Sequence, residues 1–427
     1  MKKTFPWAYF LTFLFLCSVG IVPTQAQNVD ETKVAPYTLP DPLVFQDGTR
    51  VKTPRQWRTK RRAEILKLCE NEMYGRSPGR PASMTFKVWE QNTTALNGTA
   101  TRKQVTVYFN GKPDGPQMEI LLYLPNQIKG KVPVFLGLNF QGNHGVHPDT
   151  AIRISPNWVW AGAAGVVNNR STEKSRGSTA SRWPLDLILA RGYGVATVFA
   201  NDIDPDYFDN FQNGVHALYP ELQNRGDNFS TMAAWAWGLS RALDYLQTDP
   251  NVHPQKVMLF GFSRMGKAAL WAGARDERFA MVISNESGGG GAALSKRNFG
   301  EDVERLNRGN PHWFCQNFRN YNKNEAALPF DQHMVISLIA PRPVYVASAE
   351  QDLGADPYGE FLGLKGADPV YRFLGTQGLP LTEFPKIHQP IWGRLAYHIR
   401  AGKHDVTRYD WEQFLNFADY TWKKKQQ

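Results

Sequence analysis

The sequence predicts an α/β protein built on one mostly parallel sheet with helices on both faces, a three-layer sandwich. Three observations predict it. Apolar, strand-like runs alternate with amphipathic helical patterns over roughly 250 residues. The stretch Lys256–Arg275 joins a strand, a sharp turn and a helix. No internal repeat or low-complexity linker interrupts the pattern.

The elements follow in chain order. Met1-Lys2-Lys3, an apolar run from about Trp7 to Val22 and Thr24-Gln25-Ala26 read as a secretory signal peptide cleaved near Ala26. The run is too short and wrongly flanked for a membrane anchor. Leu16 before Cys17 makes lipid attachment the lesser alternative. The mature chain is therefore expected to be secreted or periplasmic, and no other segment is long and apolar enough to span a bilayer. Residues 27–50 are Pro-rich and polar and read as an extended arm. Thr53-Pro54 opens a helix carrying Trp57, Ile65, Leu66 and Leu68 on one face and ending before Tyr74-Gly75. Residues 27–100 are expected to form an arm and helix packed on a catalytic domain at 101–427.

Strands are expected at Phe86–Trp89, Lys103–Phe109, Met118–Leu124, Val132–Leu138, Gly194–Phe199, Val257–Phe260, Met281–Ser284, Pro343–Ser348 and Leu395–Ala401. Helices are expected at Trp183–Arg191, Asn228–Gln247, after Gly266, and at Tyr409–Trp422. In such sheets, sites form at the carboxyl ends of the strands, where Ser263 falls.

Composition sets outer limits. The formal net charge is +10, of which Lys2 and Lys3 belong to the leader. The basic residues are scattered, which excludes a nucleic-acid module and suits a soluble surface or an anionic polysaccharide. Cys69 and Cys315 are too few for a disulfide scaffold, although a secreted chain permits them to pair. No Cys/His spacing suggests zinc. His144 and His147 read as loop residues lining the cleft, and no metal or other cofactor is expected. The sequons at Asn92, Asn97 and Asn169 carry little weight in a bacterial host.

The chemistry centres on Gly261-Phe-Ser-Arg-Met-Gly266. A serine on a tight strand-to-helix turn projects its hydroxyl toward a base, and the helix N-terminus offers backbone N–H groups to an oxyanion. This looks like the nucleophile elbow of an α/β-hydrolase, with one departure: Met265 stands where glycine is usual, and Gly266 follows. Such folds order the triad Ser, acid, His. His404 follows Gly402-Lys403 in a loop just past a strand, whereas His398 sits inside that strand. His404 is therefore the expected base. The acid is open between Glu286, which ends one strand, and Glu350 or Asp352, which follow the next. Asn139-Phe-Gln-Gly-Asn-His144 lies where a second oxyanion donor is placed.

Taken in order, Gly261–Lys267, Asn285–Gly290, Pro311–Cys315, Ala355–Glu360 and Gly402–Val406 closely resemble the glucuronoyl esterases of carbohydrate esterase family 15. The resemblance runs from about Tyr74 to the end, and that family has the same off-register elbow. It implies an α/β-hydrolase that cleaves the ester joining glucuronic acid side chains of xylan to lignin alcohols, without a cofactor. It implies Ser263 as nucleophile, His404 as base and Glu286 as acid, with Asp352 and Glu350 as alternatives that other members favour. Arg264 matches an oxyanion-hole arginine, Lys267 a residue binding hydroxyls of the glucuronate ring, and Glu301 a second sugar-binding carboxylate. Members commonly carry a tryptophan just before the Ala-Asp-Pro segment, but here Leu353-Gly354-Ala355 stands there. The rival readings are an acetyl xylan esterase and a non-catalytic polysaccharide-binding protein on a hydrolase scaffold. A glucuronoxylan or lignin-carbohydrate ester is the expected partner and a monomer the expected state.

Overall fold

The computed structural model describes residues 27–423. The expected signal peptide lies outside the described residues.

Ten strands form one sheet: β1 (Thr85–Ala95), β2 (Ala100–Tyr108), β3 (Gln117–Pro125), β4 (Val132–Asn139), β5 (Gly194–Phe199), β6 (Val252–Phe262), β7 (Met281–Asn285), β8 (Val344–Ala349), β9 (Ile391–Trp392) and β10 (Leu395–Arg400). Their spatial order is β1-β2-β3-β5-β4-β6-β7-β8-β10-β9. The six strands from β5 to β10 in that order are parallel, and the edges β1-β2-β3 and β9 are antiparallel. This is the α/β-hydrolase arrangement. The division expected at residue 100 falls inside the β1–β2 hairpin, so β1 is part of the sheet.

Side-chain alternation along the central strands builds two cores. Val134, Leu136, Val257, Leu259, Val282, Val344 and Val346 face one layer. Phe135, Met258, Phe260, Met281, Ile283, Tyr345 and Ala347 face the other. A period of two with both faces apolar is what a doubly covered parallel sheet requires. The first face is covered by the helix Thr231–Leu246 and by the serine helix Arg264–Arg275. Trp411, Phe414 and Phe417 of the closing helix Arg408–Lys423 cover the second. Thr231–Leu246 is buried along its whole length, and Ser230 caps it by accepting from Ala233 N–H.

The N-terminal helix is welded to the serine helix. It is α-helical at Pro54–Gln56 and Arg62–Cys69, with π turns at Trp57–Arg61 and Glu70–Tyr74. Arg62 donates to the carbonyls of Ala274 (2.6 Å) and Leu338 (3.1 Å). The Tyr74 ring stacks on Trp271, with centroids 4.0 Å apart. Cys69 and Cys315 are buried and unpaired. Among the described residues no helix is long and apolar enough to cross a membrane.

Among the described residues, the longest helix unannounced by the sequence is Pro357–Phe373; the shorter Val303–Gly309 and Gln332–Ser337 were not expected either. Pro357–Phe373 contains Gly359, Gly363, Gly366 and Pro369, residues that lower helix propensity. Gly363 is required there, because a Cβ would stand 2.1 Å from the Ala292 carbonyl oxygen.

The extended arm is anchored by charge. Buried Arg297 donates to buried Asp356 (2.9 Å) and reaches Glu31 of the arm (2.7 Å). Arg297→Met leaves Asp356 buried without its cation and is expected to lower unfolding free energy by about 3–5 kcal/mol in urea titration. A loss under about 1 kcal/mol would show that the pair does not hold the arm and the helix Pro357–Phe373 together.

Candidate active site

Four consecutive parallel strands, β6, β7, β8 and β10, deliver the expected residues at their carboxyl ends. Ser263 follows β6 directly, Glu286 follows β7 directly, Asp352 comes three residues after β8, and His404 four after β10.

The elbow is held by close backbone contacts. Ser263 has φ 56° and ψ −133°, a conformation that costs about 1–3 kcal/mol for a residue with a Cβ. It is fixed by its own N–H, which donates to the Asn285 carbonyl at 2.9 Å. A Cβ at Gly261 would lie 2.1 Å from the Met265 carbonyl oxygen, and one at Gly266 about 3.0–3.1 Å from Ser287, Gly261 and Ser284. The crowded places in this turn are therefore 261 and, less tightly, 266, so the second glycine is needed one residue later than usual and position 265 takes a methionine. Met265 points into the core instead.

His404 Nδ1 meets both candidate acids: Asp352 Oδ2 at 2.6 Å and Glu286 Oε2 at 3.2 Å. Its ring lies 4.6 Å from that of Phe262, the residue before Ser263. Among the described residues no hydrogen bond joins Ser263 Oγ to the imidazole, whose Nδ1 is held by Asp352. Burial works against the imidazolium, but the hydrogen bonds and charges of Asp352 and Glu286 outweigh it and raise His404 to about 9. Burial drives Glu286 up to about 7, against the hydrogen bond from His404 and the charge of Arg400. All its partners are donors: Arg400 Nη2 (2.6 Å), Asp405 N–H (3.0 Å) and His404. They favour the ionised carboxylate. Glu350 is not brought to the imidazole. It lines a neighbouring cavity with Val29, Leu353 and Tyr358. His398 is a core residue, with Tyr345 Oη at 2.8 Å and Asp410 Oδ1 at 2.9 Å on its two nitrogens.

The basic side chains are fixed as well. Arg264 opens the serine helix; its guanidinium pairs with Asp206 (2.6 Å) and lies 4.5 Å over the Phe140 ring. Asp206 also accepts from Trp313 Nε1 (2.8 Å), with His312 Nε2 at 3.1 Å. Lys267 is buried, donates to the Gly289 carbonyl and pairs with Glu301 at 2.6 Å. The glycine run matters for this pair, since a Cβ at Gly289 would stand 2.2 Å from the Glu301 carbonyl oxygen. His144 does not line the cleft; it is buried with Nε2 2.7 Å from Ser175 Oγ. His147 lies in a different cavity, beside Leu96 and Trp183.

Among the described residues, the ligating atoms close enough to share a metal ion belong to Glu286, Asp352 and His404, all within 4.8 Å. An ion there would sit against the Arg400 guanidinium, which already holds Glu286. The cluster suits a proton-holding imidazole better than a cation.

Three charged residues, two of them buried, were missed from sequence. Arg400 Nη2 binds Glu286 and the carbonyls of Lys403 (3.1 Å) and Asp405 (2.6 Å). Glu360 accepts from the N–H groups of Ser287 (2.8 Å) and Gly288 (3.0 Å) and from Ser348 Oγ (2.6 Å), fixing the turn that carries Glu286. Burial outweighs these donors and raises Glu360 to about 8. Asp206 is the third. The only sequence signal was that Glu360 ends one of the family-like motifs.

A family model described as glucuronyl esterase of fungi matches residues 187–375. A carbohydrate esterase, MZ0003, from an unknown prokaryotic organism is 49% identical over 92% of this chain and 91% of its own length. The 4-O-methyl-glucuronoyl methylesterase of Cerrena unicolor is 27% identical over 80% of this chain and 62% of its own. A solved glucuronoyl esterase from Solibacter usitatus is 47% identical with a TM-score of 0.86, covering 92% of this chain and 100% of that one.

The imidazole geometry has a measurable consequence. Folding favours the protonated form of His404, so its stabilisation is complete below its ordinary value of 6.5 and is lost as pH rises through about 9. In an NMR titration, Asp352→Asn is expected to lower the His404 pKa by at least about one unit, and by more than Glu286→Gln does. An unchanged titration in Asp352→Asn would show that the shorter contact does not govern the imidazole.

Proposed function

The chain belongs to the glucuronoyl esterases of carbohydrate esterase family 15, and from that premise we propose that it is a serine esterase hydrolysing esters of (4-O-methyl-)glucuronic acid side chains of xylan. The observation that carries this reading is the convergence at four adjacent strand ends: an elbow serine, and an imidazole whose Nδ1 is bracketed by two carboxylates.

Ser263 Oγ attacks the uronate carbonyl carbon as the neutral form of His404, whose share grows as pH rises toward about 9, takes its proton at Nε2. Asp352 and Glu286 hold Nδ1–H, fix the tautomer and stabilise the imidazolium. The Arg264 backbone N–H and its clamped guanidinium receive the oxyanion; a preorganised donor of this kind is worth about 3–4 kcal/mol. The tetrahedral adduct collapses as His404 protonates the departing alcohol. Water then attacks the acyl-enzyme by the same route. Lys267 and Glu301 meet hydroxyls of the glucuronate ring, and two of the three ammonium donors of Lys267 are already spent on Gly289 and Glu301. Every step is carried by groups of this chain.

The natural ester is proposed to be the linkage between glucuronoxylan and lignin alcohols. The site of action is proposed to be outside the cytoplasm, after leader cleavage near Ala26.

Ser263→Ala is expected to lower kcat on benzyl glucuronate by at least about 10⁴-fold with the unfolding midpoint little changed. Retained turnover would sink the nucleophile assignment. Lys267→Met is expected to raise KM for benzyl glucuronate about 10-fold or more. Activity on acetylated xylan in its place, insensitive to Lys267→Met, would move the enzyme to the acetyl esterases.

A further inference from the structure

Most basic residues of the chain are scattered, but one stretch gathers them. From Arg50 to Arg62 the sequence carries seven basic side chains and no acidic one. The N-terminal helix sorts them into two sets by the face on which they fall.

The inward set is paired. Trp57, Arg61, Ile65, Cys69 and Met73 recur every four residues and are buried, so one row of the helix meets the fold. Arg61 donates to the Pro42 carbonyl (3.0 Å) and pairs with Glu64. Arg62, beside that row, holds the Ala274 and Leu338 carbonyls and pairs with Glu277 at 2.9 Å. Thr53 caps the helix, its hydroxyl accepting from the Gln56 N–H at 3.1 Å. The helix is therefore a fixed platform.

The outward set has no partners. Lys52, Arg55, Arg58, Lys60 and Lys67 are exposed, and among the described residues no acid pairs with any of them. Arg55, Thr59, Ala63 and Lys67 form the row opposite the buried one, with Arg58 and Lys60 on either side of Thr59. Like charges three or four residues apart on a helix repel. The two arginines that hold the helix in place each have a carboxylate, while the cations that face solvent have none.

The face has the chemistry of a polyanion surface. Its cations spread over ~18 Å from Arg55 to Lys67, more than one small anion spans. Among the described residues, none of the exposed large apolar side chains lies between residues 50 and 70, and Trp57 is turned inward. The helix thus offers no apolar wedge to a bilayer and no free ring on which bases stack. The face is also remote from the cleft. Arg62 meets the serine helix at Ala274, ~16 Å along its axis from Ser263. A polymer held there leaves the catalytic edge open.

We propose that the outward face of the N-terminal helix binds a polyanionic polysaccharide, the uronate-bearing polymer whose esters are cleaved at Ser263. Each cleavage leaves a carboxylate on that polymer, so the product is more anionic than the ester. The face then retains the enzyme on a polymer it has begun to open, and raises the effective concentration of the remaining esters at the cleft. The identity of the polymer rests on the glucuronoyl esterase reading above; the cationic face does not.

The test measures binding of the full chain to soluble glucuronoxylan by affinity electrophoresis. Wild type is expected to bind at low salt and to lose at least about 10-fold in affinity at about 1 M salt, where the Debye length is ~3 Å. The triple variant Arg55→Glu, Arg58→Glu, Lys60→Glu is expected to bind at least about 10-fold more weakly at low salt. The charge-keeping triple Arg55→Lys, Arg58→Lys, Lys60→Arg is expected to bind as wild type. Both variants keep wild-type kcat/KM on benzyl glucuronate, because none of the three side chains reaches the cleft. Salt-insensitive binding by wild type overturns the proposal, and this arm stands even where a variant misfolds. Undiminished binding by a folded Glu variant overturns it as well. Equal binding of uncharged arabinoxylan would overturn the uronate polymer as occupant, as would tighter binding to phosphatidylglycerol vesicles or to duplex DNA. Charge-dependent binding retained by a chain inactive on benzyl glucuronate would remove the esterase reading and leave the face standing.

Discussion

The site depends on one buried guanidinium. Arg400, the last residue of β10, reaches Glu286 at the end of β7, Asp410 at the start of the closing helix, and the carbonyls on either side of His404. Removing one partner of such a pair costs about 3–5 kcal/mol, because the other charge stays buried. Here the loss would be local as well. The loop 401–405 has no regular secondary structure, so its shape rests on these bonds. Arg182 adds a brace by pairing with Asp405 at 2.7 Å. The catalytic role proposed for His404 thus depends on a cation that never meets substrate.

The two acids around the imidazole differ in kind. Glu286 is fully buried and spoken for by Arg400 and by the Asp405 N–H, so it cannot move. Asp352 is only partly buried and sits on the short 3₁₀ segment that includes Leu353–Ala355. The stronger contact comes from the less constrained group. Glu286 sets the loop and the field, while Asp352 sets the imidazole's orientation. A serine–histidine pair flanked by one acid would need that single carboxylate to do both.

What sequence shows is what lies close along the chain. Ser263 is legible because strand, turn and helix are contiguous, and His404 because a glycine-opened loop follows a strand. His398 reads as a residue inside that strand for the same reason, and the structure buries it. The choice between Glu286 and Asp352 is not legible, since it is set by how neighbouring strand ends converge, and the structure brings both. Lys267 and Glu301 came only through the resemblance. Arg400, Glu360 and Asp206 were missed because an internally paired charge is marked by its tertiary partners and not by its neighbours in the chain. The helix Pro357–Phe373 was missed because its glycines serve packing against Ala292 and His333, which overrides propensity.

The absent tryptophan near Gly354 bears on where recognition resides. A Cβ at Gly354 would meet nothing closer than 3.8 Å, so room for a side chain exists beside Gln27 of the arm, yet glycine fills the place. Trp313 cannot substitute. It is 7% exposed, with its indole N–H held by Asp206. On the proposed function, the acyl pocket is left with polar recognition through Lys267 and Glu301, whose ion pair already satisfies much of its own bonding. Exposed aromatic surface lies instead around Trp158 and Tyr207, with Trp160 nearby in sequence and 65% exposed.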